Sequence, residues 1–311
     1  MCAYAPWKPD CLEESAVRTL TLPNYVLLKK YLYEAWVPRG PTRREKAFFF
    51  ANIATLHKLA QAHAVIRLFA AVGYVSSGGL SGTWRPVVPP SGSVDFCDMS
   101  GAPIPTRCGW DDVDISGVPT PGQSLPNDAG SKEAEVRLLL SAAVTTLRSA
   151  FDCLSCELYL LFAPRAKERC LDDMSLGAIL SPKRPYRATL EKAAGAVIAE
   201  LDAATQAPCF QELAKYRNNW THRETAYLAC LPGAYFLLRP DLDLALLWDL
   251  VSHAGSPRNP STGELSARGD VIEQLSAYVT ESCSAINELW RLVHALVRCQ
   301  GFAAKRLDFA P

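Results

Sequence analysis

The sequence carries no excess of charge, since 32 Lys and Arg are matched by 32 Asp and Glu. Such a balance leaves no global field to draw the chain onto nucleic acid or an anionic membrane. It excludes the histone-like and polybasic-anchor classes, though not a local basic site. Long hydrophobic runs are missing as well. The longest apolar stretches, Leu158 to Ala163 and the Arg67-interrupted Val65 to Val75, fall well short of the roughly 18–20 residues a bilayer core needs. No membrane span is expected. Met1 to Asp10 holds two prolines and Trp7 in place of a charged region followed by an apolar one, which is not the pattern of a secretory signal.

Motifs for several chemistries are also missing. Gly78-Gly79-Leu80-Ser81-Gly82 lacks the following Lys and the strand-to-helix setting of a phosphate-binding loop, and no GxSxG elbow occurs. Nucleotide hydrolysis and serine hydrolase chemistry drop out. Cys153-Leu154-Ser155-Cys156 is a single CxxC inside a helical pattern, with no second pair and no histidine pair nearby. Cys2, Cys11, Cys97 and Cys108 match no zinc spacing. No metal and no cofactor is expected. The eleven cysteines are an odd number that suits no complete disulfide framework. They read as reduced thiols, many buried, and the expected location is cytoplasmic.

What is present is a globular composition, 49% apolar and 21% charged over 311 residues. A chain of this size can bury a core without staples. Three regions follow from the patterning: 1–75, 76–130 and 131–311. In the first, Leu20, Leu22, Val26, Leu27 and Leu32 lead to a break at Pro38 to Pro41. A second segment starts near Thr42, a candidate cap, and runs through Phe48, Ile53, Leu56, Leu59, Ala60, His63, Ile66 and Ala70 at helical spacing. Two helices joined by a proline turn form an N-terminal helical hairpin. Residues 76–130 hold nine glycines and eight prolines in 55 positions, a long Gly/Pro-rich insertion acting as loop or linker. Within it Thr83 to Val88 suits a hairpin edge.

From Ser131 the helical pattern returns. Val136, Leu140, Val144, Leu147, Phe151, Leu154, Leu158 and Leu161 trace one stripe to the stop at Pro164. Helices are expected over Tyr186 to Ala203, Pro208 to about Arg223, and Asp270 to Cys299, the last with Val271, Leu275, Tyr278, Ser282, Ile286, Leu289, Val293 and Leu296 inward. Ala234 to Val251, interrupted by Pro240, reads as a short strand and then a short helix. The expected fold is all-α, an antiparallel helical bundle over 131–311 that packs with 1–75 or stands apart from it.

The segment that carries chemistry is Lys215-Tyr216-Arg217-Asn218-Asn219-Trp220-Thr221-His222-Arg223. On a helix Asn218 and His222, four apart, lie on one face, and Arg217 is rotated about 100° from Asn218. The segment resembles the RNxxxH form of the Arg-x(4–6)-His motif of the HEPN superfamily, the higher eukaryotes and prokaryotes nucleotide-binding domains. The resemblance covers roughly residues 131–300. It implies a HEPN-like bundle and a metal-independent endoribonuclease, with a toxin–antitoxin or phage-defence role. Arg217 and His222 would be catalytic, with Asn218, Tyr216 and Arg223 supporting them. It also implies an RNA substrate, a homodimer whose two motifs face each other, and in some members an antitoxin partner. The chemistry suits the residues. Histidine titrates near neutral pH and can take the 2′-hydroxyl proton. The arginine fork can hold charge on the phosphorane-like transition state.

Two further readings accompany this one. Lys215, Lys183, Arg184 and Arg187 form a modest basic surface that suits phosphates, or else a solvated helix edge. The motif itself reads alternatively as part of a non-catalytic helical interaction or nucleotide-binding protein, with Trp220 packed inward and Arg217 paired to Glu212 or Glu224. His57, His63, His253 and His294 read as ordinary core-edge or helix-end histidines.

Overall fold

The computed structural model describes residues 8–71, 74–76, 84–86, 129–222, 228–231, 234–237 and 271–310. These residues are mostly helical. Eight α-helices are described: α1 (Cys11–Leu20), α2 (Pro23–Trp36), α3 (Arg43–Ala71), α4 (Ala129–Phe162), α5 (Leu176–Leu180), α6 (Pro185–Gln206), α7 (Pro208–His222) and α8 (Val271–Cys299). Strand among the described residues is confined to two antiparallel ribbons. One pairs β1 (Tyr74–Ser76) with β2 (Trp84–Pro86), the other β3 (Leu228–Leu231) with β4 (Ala234–Leu237). Their registers run Val75 opposite Arg85 and Cys230 opposite Tyr235. The rest of the insertion, and Pro240 to Val251, lie outside the described residues.

The first expected helix is in fact two. α1 starts on Asp10, whose Oδ1 accepts from the Glu13 amide at 2.8 Å. It stops at Thr21, the one non-glycine residue with positive φ (55°) among the described residues. There the Leu22 amide donates to Val17 O and the Thr21 amide to Arg18 O. This is the pairing of a Schellman end, normally built on glycine. Pro23 then opens α2 at a position where its missing N–H costs nothing. A threonine in the left-handed region gives no sequence signal, so the apolar pattern runs through the break without showing it.

α3 begins as the candidate cap suggests. Thr42 Oγ1 accepts from the Glu45 amide at 3.2 Å, and Glu45 Oε2 accepts from the Thr42 amide at 3.0 Å, a reciprocal capping box. The stripe of α4 is buried from Leu140 through Val144, Leu147, Phe151, Leu154, Leu158 and Leu161. α8 buries its expected face except at Leu296, where Val297 takes the inward position. Two pieces go beyond the sequence pattern, α5 and a 3-10 turn at Glu168–Cys170. Both are shorter than the two turns over which an apolar repeat becomes visible. α6 departs from helical geometry at Ala194 (φ −148°, ψ 45°), just before Gly195, and Gln300 Nε2 donates to the carbonyl of Ala193 at 3.1 Å.

The chain divides into two compact units, 1–63 with 143–218 and 276–311, and 64–142 with 219–275. The amino-terminal helices therefore share a unit with much of 131–311. In the first unit Tyr25 and Trp290 pack ring against ring at 5.2 Å, and Trp36 Nε1 donates to Phe302 O at 3.2 Å. Asn24 is bonded twice to Asn287, its amide donating to Oδ1 and its Nδ2 to the carbonyl, each at 3.1 Å. Arg44 donates from Nε to Leu160 O (2.6 Å) and from Nη2 to Ala163 O (2.7 Å), satisfying the open carbonyls that end α4. The second unit holds both ribbons and the parts of α3, α4, α7 and α8 outside the first.

The stretch Leu138–Phe162 of α4 is long and apolar enough to cross a membrane by length and composition. Counting only uninterrupted apolar runs misses it, because Arg148, Asp152 and Glu157 divide the stretch. From Leu140 to Leu161 its apolar stripe is buried within the protein.

Candidate functional site

The motif lies on α7, which opens with Pro208 at its first turn and runs without a break to His222. Its inward stripe is Phe210, Leu213 and Tyr216, all buried. Phe210 meets Phe151 of α4 edge-on at 4.8 Å. Glu212, beside that stripe, accepts from the Tyr278 hydroxyl at 2.6 Å. Tyr216, a supporting residue by resemblance, is therefore a core residue of the first unit.

Arg217 stands seven residues after Phe210, on nearly the same side of the helix and two turns on. It is half-buried, and its Nη1 donates to Asn218 Oδ1 at 3.2 Å. Asn218 is exposed. Glu212, one of the two acids considered as a partner for Arg217, is taken by Tyr278 instead. Among the described residues no carboxylate pairs with Arg217. The backbone of His222 ends α7 one turn beyond Asn218. Its side chain, Arg223 and Glu224 lie outside the described residues, as do the side chains of Asn219 and Trp220.

A second guanidinium lies beside this face. Arg148, on α4 one turn before Phe151, stacks over the Phe210 ring at 5.1 Å from its centre. Its side chain is 17% exposed, and Nη1 stands 3.6 Å from Asp152 Oδ1, beyond hydrogen-bond reach. That buried nitrogen makes no hydrogen bond. Asp152 Oδ1 is already engaged by the Leu176 amide at 2.8 Å, at the start of α5. Burial lowers the Arg148 pKa, Asp152 opposes that, and the charge of Arg217 lowers it further. Asp152, at ion-pair distance, is the carboxylate beside Arg148 among the described residues. Motif spacing does not pick out Arg148, because one arginine in an apolar stripe reads as a residue on the helix's wet side.

The basic surface is less uniform than its sequence. Lys183, Arg184 and Lys215 are exposed. Arg187 is held by Asp202, with Nη1 to Oδ1 at 3.0 Å and Nη2 to Oδ2 at 2.5 Å, and by Glu191 Oε1 at 2.7 Å. These bidentate bonds raise its pKa and commit its charge to neighbouring carboxylates.

The cysteines of the CxxC are half-buried in α4. Burial pushes the Cys153 thiol up and Cys156 to about 12, so neither is a ready thiolate. Among the described residues no three His, Cys, Asp or Glu side chains gather as a metal site. His57 is exposed. His294 packs edge-on against Tyr31 at 5.7 Å, with burial lowering its pKa. His253 lies outside the described residues.

No protein-family model, curated protein or solved structure matches the chain.

Proposed function

We propose that the protein is a metal-independent endoribonuclease of HEPN type, an antiparallel helical bundle working as a homodimer. The observation that carries the reading is the state of Arg217. It lies half-buried at the edge of α7, bonded to the adjoining Asn218 and held by no described carboxylate, the state of an arginine kept for a phosphate. A structural arginine in the same place would be expected to hold an acid. Asn218 sets the azimuth of the guanidinium, and the helix brings His222 to the next turn on the Asn218 side.

In this reading His222 takes the proton of the RNA 2′-hydroxyl. The 2′-oxygen bonds to phosphorus, and the bond from phosphorus to the 5′-oxygen breaks. Arg217 stabilises the charge that gathers on the non-bridging oxygens. The second histidine of a homodimer supplies the proton to the departing 5′-oxygen. The products are a 2′,3′-cyclic phosphate and a 5′-hydroxyl. A toxin or phage-defence role, with or without an antitoxin partner, belongs to the same proposal.

The test is cleavage of a mixed pool of structured RNAs in EDTA by wild type and by His222→Ala. Wild type is expected to leave cyclic phosphate ends. His222→Ala should fall by about 10²–10⁴-fold with little change in thermal midpoint, as for loss of a general base. Equal cutting by the variant would remove His222 from the mechanism. Absence of cutting by wild type over the whole pool would remove the nuclease reading.

A further inference from the structure

We infer that Glu157, Thr55, Asn52 and Trp290 form a proton-operated switch, which closes the joint of α3, α4 and α8 while Glu157 holds a proton and lets it open when the proton leaves. The switch stands apart from the nuclease reading and takes no ligand but the proton.

The donors and acceptors fix the place of that proton. All four side chains are buried, Asn52, Thr55 and Trp290 completely. Glu157 Oε2 accepts from Asn52 Nδ2 at 2.8 Å and from Trp290 Nε1 at 3.0 Å. Neither nitrogen can accept in return, so a proton on Oε2 would have no acceptor there. Oε1 faces the Thr55 hydroxyl instead. That hydroxyl also lies 3.1 Å from the carbonyl of Ala51. It has one proton to give and two oxygens in reach of it. A proton on Glu157 Oε1 resolves the conflict. Glu157 then donates to Thr55 Oγ1, and Thr55 donates to Ala51 O.

Loss of the proton changes both ends of this relay. The Oε1–H bond breaks and the proton passes to a base in the solvent. The Thr55 hydroxyl turns from Ala51 O to the carboxylate, and a buried negative charge is left behind. The titratable groups around it do not answer that charge. On α2, Tyr25 packs on Trp290 at 5.2 Å, its hydroxyl donating to Glu13 at 2.8 Å and its pKa raised by burial. On α4, burial raises the Cys153 thiol and brings Cys156 to about 12. Lys58 of α3 acts on Cys153. On α8, His294 turns to Tyr31, at 5.7 Å between ring centres.

A charge enclosed in this way is costly until water reaches it. The four side chains come from three helices, so water enters when α3, α4 and α8 part. α4 and α8 also hold α7, through Phe151 on Phe210 and the Tyr278 hydroxyl on Glu212. The joint therefore lies in the frame that carries the motif helix. Burial raises the Glu157 pKa from 4.5 to about 7. Opening releases a proton between those values, so it becomes easier by about tenfold per pH unit up to the upper one and then levels off.

The Trp290 indole N–H reads the joint directly, because it donates to Glu157. Its resonance is assigned by its loss in Trp290→Phe and followed across neutral pH. In wild-type protein it should move through a one-proton titration with its midpoint at about 7. Its exchange with solvent, taken relative to Glu157→Gln at each pH, should quicken by about tenfold per unit below that midpoint. Thr55→Val removes the relay. A carboxylate loses more from a missing hydrogen bond than a neutral acid does, so the midpoint should rise by about one pH unit. Thr55→Ser, which keeps the hydroxyl, should keep the wild-type midpoint.

A Trp290 resonance that does not titrate in wild-type protein would overturn the switch, and that measurement needs no folded Glu157 variant. A titration that persists in Glu157→Gln would do the same. An exchange ratio flat with pH would show that the joint stays closed whatever the charge. A wild-type midpoint in Thr55→Val would assign the hydroxyl to Ala51 O in both states and overturn the relay.

Discussion

Glu157 lies fully buried on α4 with three donors around its carboxylate: Asn52 Nδ2 at 2.8 Å, Trp290 Nε1 at 3.0 Å and the Thr55 hydroxyl. Burial outweighs those bonds and raises its pKa from an ordinary value near 4.5 to about 7. The folded state therefore binds this proton where the unfolded chain has released it. The stabilisation is complete below about pH 4.5 and is lost as pH rises through about 7. Glu157→Gln should flatten the fall in thermal midpoint between these limits, and the test is calorimetry at a series of pH values. Parallel curves for wild type and variant would show that another group sets the slope. The Asn52 Oδ1 has no partner, so a flip of that amide offers an acceptor to the side-chain amide that Glu157→Gln introduces. Residues of this kind were not legible in the sequence. Glu157, Asn52 and Thr55 look like positions on a wet helix face, and only their partners on other helices make them buried. Arg217 and Asn218 were legible, because their signal is local spacing on one helix.

At the scale of elements the sequence was most readable where an apolar stripe ran for several turns, as in α4 and α8. It was least readable where local geometry replaced a stripe, as at Thr21 and in the five residues of α5. The start of α3 lies between these cases, since Thr42 reads as a cap while the part of Glu45, in the cap and beyond it, does not show. Its carboxylate also accepts from Arg39 Nη2 at 2.7 Å and from the Leu307 amide at 3.0 Å. Thr42→Ala removes the cap and the bond its hydroxyl donates to Leu307 O, and should cost about 1–2 kcal/mol. Glu45→Ala should cost about 3 kcal/mol, because it leaves the Arg39, Thr42 and Leu307 donors without their shared acceptor at roughly 1 kcal/mol each. Urea denaturation of both variants tests the difference. Equal losses would mean that the cap alone accounts for Glu45.

For the whole molecule, the helical class was evident from periodicity, but the way the chain is partitioned was not. The first unit gathers three stretches far apart in sequence, and nothing in a linear pattern announces such pairings. Its last stretch is held by backbone bonds. Leu307 N donates to Glu45, Ala310 N donates to Ala166 O at 2.8 Å, and Asp308 O accepts from Arg44 at 3.3 Å. A chain ending at Ala304 loses these three and also the bonds that Lys305 O accepts from Arg39 and Leu307 O from the Thr42 hydroxyl, and should be less stable by about 5 kcal/mol, at roughly 1 kcal/mol for each bond. A thermal midpoint unchanged by the truncation would show these bonds to be energetically idle.

The pairing of Asn24 with Asn287 spans 263 positions. On a ribosome adding about 5–20 residues per second, α2 emerges roughly ten to fifty seconds before its partner exists. Throughout that interval the Tyr25 ring lacks the Trp290 ring that will pack on it, and the Trp36 indole lacks its acceptor, the Phe302 carbonyl. Exposed apolar surface of this kind promotes aggregation, so slower translation is expected to lower the soluble yield.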